Sequence, residues 1–263
     1  MVWHLLSLDA PAVATLWTWF VARAMRMALP AAVPAAMFVA VWLLYAGDRL
    51  LDGLTGDAAA LEERHRFHRR HFRGFLFAVV AGGLILGPLV CAIPAPMLRL
   101  YGALAVILGA WYAIVHWIGR DWRLPKELMT GVFCAAAAFI PEWTRVGFED
   151  RGLAAAATLY GLLIALNCWL IYTWEHDDAE NAHVTTRLAV RWIAPVGIAM
   201  VTLPLAALRL GETDLALVFL AIALAAALLL GLNRVRGSLD RIGLRAAADV
   251  ALLTPLLLAG LLR

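Results

Sequence analysis

Two stretches of this 263-residue chain end an apolar run in carboxylates after the same aromatic step. Trp42-Leu43-Leu44-Tyr45 leads to Asp48, with Asp52 one helical turn beyond. Trp169-Leu170-Ile171-Tyr172 leads to Glu175, followed by Asp177 and Asp178. A helix presents Asp48 and Asp52, at i and i+4, on one face, and Glu175 and Asp178, at i and i+3, on another. Carboxylates so placed suit Mg²⁺, a hard ion that keeps waters and substrate phosphates in its shell. Two such faces across a cavity would hold metal ions that grip a diphosphate. The alternative is plainer: acids at helix ends on the water boundary, screened by neighbours such as Arg49.

Basic residues stand near both motifs. Leu61 to His71 reads as a polar, basic helix with His65, His68 and His71 at i, i+3 and i+6. Arg64, Arg66, Arg69, Arg70 and Arg73 oppose metal binding by those imidazoles. The segment reads either as a surface for phosphate oxygens, through arginine forks, or as a headgroup-binding helix. Inside the apolar runs, a charged central residue costs roughly 2.5–3.5 kcal/mol and so tends to face a cavity. Asn167, Asp249 and His116 fall at similar depth and would form a polar chamber beneath the acidic mouth.

The elements that must position these groups are membrane helices. The chain is 63% hydrophobic and 16% charged, where a soluble domain has roughly 25% charged residues. A span needs about 20 apolar residues, and lipid-exposed backbone must be paired internally. Nine runs meet this, near 11–29, 30–47, 74–94, 97–119, 128–144, 153–174, 188–208, 213–233 and 246–262. The first is the weakest, interrupted by Arg23 and Arg26. The expected fold is all-α, a polytopic bundle of about nine helices. The alternating ten-residue segments of a strand barrel do not occur.

Loops after the even-numbered runs hold fifteen Lys and Arg residues, from Arg49 to Arg245, against five on the other side: Arg99, Arg145, Arg151, Arg209 and Arg263. Such a bias places the N-terminus and both acid motifs in the cytoplasm of a bacterial-type inner membrane. A net charge of +3, spread along a membrane face, calls for no nucleic acid and suits anionic headgroups or substrates. Cys91, Cys134 and Cys168 are odd in number and sit in apolar runs, which argues against a disulfide frame and a cysteine metal site. The first 22 residues hold no Lys or Arg, so no cleaved signal peptide is expected. Residues 1–263 read as one transmembrane domain. The 127-residue offset from Asp48 to Glu175 would divide it into repeats of helices 1–4 and 5–8 plus one extra helix.

Nine helices with acid motifs after the second and sixth resemble the UbiA superfamily of intramembrane aromatic prenyltransferases. That family's first motif is N-D-x-x-D-R-x-x-D, and Asp48-Arg49-Leu50-Leu51-Asp52 matches its D-R-x-x-D half. Glu175, Asp177 and Asp178 look like its aspartate-rich second motif. Leu124-Pro125-Lys126, Gly131 and Ile140-Pro141 are similar to its following loop and fifth helix. Tyr45 and Ala46 replace the motif's Asn and first Asp, Asn167 and Cys168 stand where an upstream Asp is usual, and Glu175 stands for Asp. These departures remove oxygen ligands and mark a divergent branch.

The resemblance implies Mg²⁺-dependent transfer of an isoprenyl group from a prenyl diphosphate to a small aromatic or lipid acceptor. It implies metal at Asp48, Asp52, Glu175, Asp177 and Asp178, with Asp48, Asp52, Glu175 and Asp178 catalytic. Arg49, Lys126 and Arg64 would meet phosphate charge, and Tyr45, Tyr172, Asn167 and Asp249 would contact substrate. A membrane terpene cyclase would keep the ionisation and drop the acceptor. A non-catalytic lipid-binding protein would keep the fold and lose the ligands. A transporter would need a polar path, and the non-cytoplasmic helix halves offer few polar groups.

Overall fold

The structure, a computed structural model, describes residues 7–55, 72–118, 124–176, 179–180, 182–209 and 214–262, without the side chains of Arg49, 51–55, 117–118 and Arg209. Among the described residues it is helical with no strand. The helices are α1 (Asp9–Ala24), α2 (Ala32–Thr55), α3 (Phe72–Cys91), α4 (Ala95–Ala113), α5 (Lys126–Val146), α6 (Arg151–Glu175), α7 (Val184–Arg191), α8 (Ile193–Arg209), α9 (Ala216–Arg234), α10 (Arg241–Ala251) and α11 (Pro255–Leu258). A π-helical turn, Ile114–Ile118, continues α4.

Among the described residues each apolar run expected from sequence overlaps helix. Among the described residues five segments are long and apolar enough to cross a membrane: Phe72–Cys91, Ala95–His116, Arg151–Glu175, Ala216–Arg234 and Arg241–Leu261. The bent pair α7 and α8 makes a sixth if the two are taken as one span. The apolar part of α2, Ala32–Asp48, is shorter. Among the described residues the chain is all-helical, and its long apolar helices are those of a membrane protein.

Chain contacts divide into two units. The first is Met1–Leu16 with Leu29–Pro94, and the second is Trp17–Ala28 with Ala95–Arg263. In the first, α2 packs on α3. Gly82 allows that approach, since a methyl there would press on Leu43 Cδ2 at 3.0 Å and the Trp42 ring at 3.3 Å.

In the second unit α6 is the central helix, packed by α5, α8, α9 and α10. Lipid tails are as apolar as leucine, so burial alone does not drive helices together in a bilayer; close van der Waals packing between small residues does. Gly131 on α5 meets Gly161 on α6 backbone to backbone, and a methyl at Gly131 would overlap the Gly161 carbonyl oxygen. Ala135, Ala157 and Ala165 continue the narrow faces around this crossing. Deeper packing is aromatic: the Trp17 ring lies 4.6 Å from that of Tyr160, and Phe139 lies 5.9 Å from Tyr160 on its other side.

Two runs that look continuous in sequence are broken. The run at 188–208 begins in a separate helix, and the chain turns 81° between α7 and α8. The run at 246–262 breaks between Ala251 and Pro255, because proline brings no N–H to continue the ladder. There Leu256 N–H turns back to the Leu253 carbonyl. The Leu252 carbonyl receives the indole N–H of Trp17 instead, at 2.9 Å and buried. Thr254 Oγ1 donates to the Ala221 carbonyl at 3.0 Å. Irregular backbone at membrane depth persists only where such partners exist.

Candidate functional site

A group of the second unit's polar side chains lies along α6 and around that helix's C-terminal end. Asp150 caps the N-terminus, its carboxylate accepting from Leu153 N–H at 2.8 Å. Twenty-five residues later the helix stops at Glu175, and His176 takes extended backbone. Glu175 is met there by Arg245 of α10, whose Nη2 donates to Oε2 at 2.9 Å while Nε bonds Oε1. Both partners are mostly buried, and this two-pronged geometry is the strong form of the ion pair. Asp240 caps α10 by accepting from Gly243 N–H at 2.9 Å, which fixes the turn that presents Arg245.

Further along α6 the cluster continues. Glu127 of α5, with Arg245 and Asp249 of α10, lies within electrostatic reach of the Cys168 thiol. Glu127 Oε2 accepts from Thr186 Oγ1 on α7 at 2.7 Å, tying α5 to α7. Trp174 donates its indole N–H to Asn233 Oδ1 on α9 at 3.0 Å. Asn167 is buried, and its Oδ1 has no hydrogen-bond partner among the described residues. From Asn167 to Glu175 the column rises eight residues, about 12 Å of helix.

The residues expected from sequence fall as follows. Glu175, Asn167 and Asp249 belong to the second unit's polar column. Tyr172 stands one turn below Glu175 with its ring stacked on His176 at 4.2 Å. Lys126 opens α5 and is exposed. His116 lies in the π-helical turn, its ring 4.2 Å from that of Tyr112. Asp48 and Tyr45 sit on α2 in the first unit, Tyr45 exposed. Asp52 continues the same helix, as Arg49 does, with side chains outside the description. Arg64, Asp177 and Asp178 lie outside the described residues, as do Arg66, Arg69 and the three histidines of that loop.

Sequence reasoning missed Arg245 as a site residue and took it only as an orientation charge. The signal was present: Arg245 and Asp249 are spaced i, i+4 and share a face of α10. Glu127 and Thr186 gave no signal, since nothing local links positions 59 residues apart. Glu142 on α5 was also missed. It is fully buried, and neither carboxylate oxygen has a hydrogen-bond partner among the described residues.

For Mg²⁺ the fit is partial. Carboxylates are the right donors, but both oxygens of Glu175 are engaged by Arg245. Among the described residues no group of three or more His, Cys, Asp or Glu is placed to hold a metal ion.

No family model matches this chain. No curated protein and no solved structure matches it either.

Proposed function

We propose that the chain is a divergent UbiA-type protein, a bundle of nine helices in the inner membrane with its acid motifs on the cytoplasmic side. Its reaction is transfer of an isoprenyl group from an isoprenyl diphosphate to a small aromatic or lipid acceptor. The observation that carries this reading is the polar column on α6, Asn167 to Glu175, inside otherwise apolar helices. A charged or polar residue at membrane depth is retained where it serves a site.

The column's charge sets what enters. Glu127, Glu175 and Asp249 outnumber Arg245 among the described residues, so a bare diphosphate is repelled. A diphosphate accompanied by a divalent cation is not. Mg²⁺ belongs to the proposal in that capacity, with Asp48, Asp52, Asp177 and Asp178 to hold it, and it would neutralise charge on the leaving diphosphate. Glu175 serves differently, by positioning Arg245. Arg49, Lys126 and Arg64 supply the remaining positive charge toward phosphate. Asn167 offers an unpaired acceptor to a hydroxyl of the incoming nucleophile, and Tyr45 and Tyr172 flank the two motifs.

The test uses purified protein, a radiolabelled polyprenyl diphosphate and Mg²⁺. Diphosphate release is expected, and Asp48→Ala is expected to abolish it; equal release by the variant removes Asp48 from the chemistry. Product analysis without an added acceptor separates transfer from internal cyclisation by a terpene synthase. One observation favours a second reading, a non-catalytic lipid-binding protein. The Glu175–Arg245 pair withdraws one acid from metal binding. Under that reading a diphosphate analogue with Mg²⁺ gives no protection against heat, and Mg²⁺-dependent protection argues against it.

A further inference from the structure

Helix α7 takes no part in the isoprenyl reading, yet its two sides are sharply different. Thr186 and Ala189 are buried, and the Thr186 bond to Glu127 fixes that side against α5. His183 caps the helix, its Nδ1 accepting from Thr185 N–H at 3.2 Å. With this side held, Val184, Arg187, Leu188, Arg191 and Trp192 are exposed. Val184, Leu188 and Trp192 follow at i, i+4 and i+8, one apolar stripe; Arg187 and Arg191 form a basic stripe beside it.

The 81° turn into α8 gives this face its orientation. If α8 runs across the bilayer, α7 lies close to the membrane plane where α8 leaves the apolar core. A short amphipathic helix with arginines on one flank and a tryptophan at its end fits that level, where aromatic rings and basic side chains both settle. α7 contains no acidic residue, so the flank is positive along its whole length. Guanidinium forks match phosphate oxygens, and anionic lipids add an attractive surface potential that zwitterionic ones lack.

We propose that α7 is a membrane-surface helix that binds anionic phospholipid headgroups through Arg187 and Arg191, with Val184, Leu188 and Trp192 seated among the acyl chains. Lipid composition then acts on the polar column, because the same helix reaches Glu127 through Thr186. The inference rests on the bend and the exposed face and stands apart from the isoprenyl reading.

The experiment places the full chain in phosphatidylcholine vesicles doped with brominated phosphatidylglycerol or brominated phosphatidylcholine. Quenching of Trp192 is obtained as the difference between wild type and Trp192→Phe. Half-quenching is expected at a several-fold lower content of the anionic lipid. Arg187→Gln with Arg191→Gln should remove the preference, by roughly fivefold per arginine. High salt should weaken it in the wild type, which needs no variant to fold. Equal quenching by the two lipids, a preference that survives both substitutions and salt, or no quenching of Trp192 would each overturn the proposal.

Discussion

Arg245 grips Glu175 across 70 residues of sequence, closing the C-terminal end of α6 with two charge-assisted contacts from α10. The pair is mostly buried in a cluster that holds Glu127 and Asp249 as well. Its removal therefore leaves more than one missing hydrogen bond. Arg245→Gln takes this two-pronged contact from a carboxylate set among others and should lower stability by about 1–3 kcal/mol. Glu175→Gln with Arg245→Gln should recover part of the loss, since neither charge is then left alone. A double-mutant cycle by thermal unfolding in detergent measures the coupling. Additive losses would mean that the pair contributes nothing as a pair.

Gly131 decides how closely α5 approaches α6. Alanine is the better helix former by about 1 kcal/mol, so a position set by propensity would gain from Gly131→Ala. A methyl there overlaps the Gly161 carbonyl oxygen, and backbone cannot swing aside as a side chain can. Gly131→Ala is expected to destabilise by about 1–3 kcal/mol. Gly102→Ala on α4, where nothing lies within 4 Å of the added methyl, is the control and should be neutral or mildly stabilising. A stabilised Gly131→Ala protein would contradict the crossing.

Much of this architecture was legible in the sequence, and the physical reason is plain. A span needs a long apolar run, so composition locates helices such as Arg151–Glu175 almost to the residue. Helix breaks were not legible. Trp192 follows Arg191 in a run that otherwise reads on as apolar, and Pro255 sits among leucines, so hydropathy averaged over a span registers neither turn. The pairing of Glu175 with Arg245 is a tertiary contact, and sequence periodicity carries only contacts within one helix. The acid motifs were conspicuous because carboxylates are rare at the ends of apolar runs; the buried Glu142 was overlooked because it sits one turn from Arg145 and reads as an ordinary helix end.

Trp17 stabilises the break in the last span. Trp17→Phe keeps the ring contact with Tyr160 and removes only the donor to the Leu252 carbonyl. The expected loss is about 1–2 kcal/mol, the cost of leaving a buried carbonyl unpaired. Hydrogen exchange should also rise selectively in residues 252–257. A uniform rise, or none, would mean that the indole bond does not hold the break.

Glu142 offers a test of the opposite sign. A buried carboxyl with no partner lowers stability, and an apolar residue of similar size should relieve it. Glu142→Met is expected to raise the melting temperature, by an increment corresponding to about 1–2 kcal/mol. A drop instead would show that the carboxyl has a partner or ligand that the fold depends on.

Prenyl transfer itself is open to a simple assay. Purified protein in lipid nanodiscs, given Mg²⁺ and isoprenyl diphosphates of graded chain length, is followed by phosphorus NMR for free diphosphate. The proposal predicts diphosphate release with at least one chain length, dependent on Asp48 and accompanied by a prenylated or cyclised product. Intact substrate at every chain length, with membrane protein that is folded and binds the analogue, would refute it.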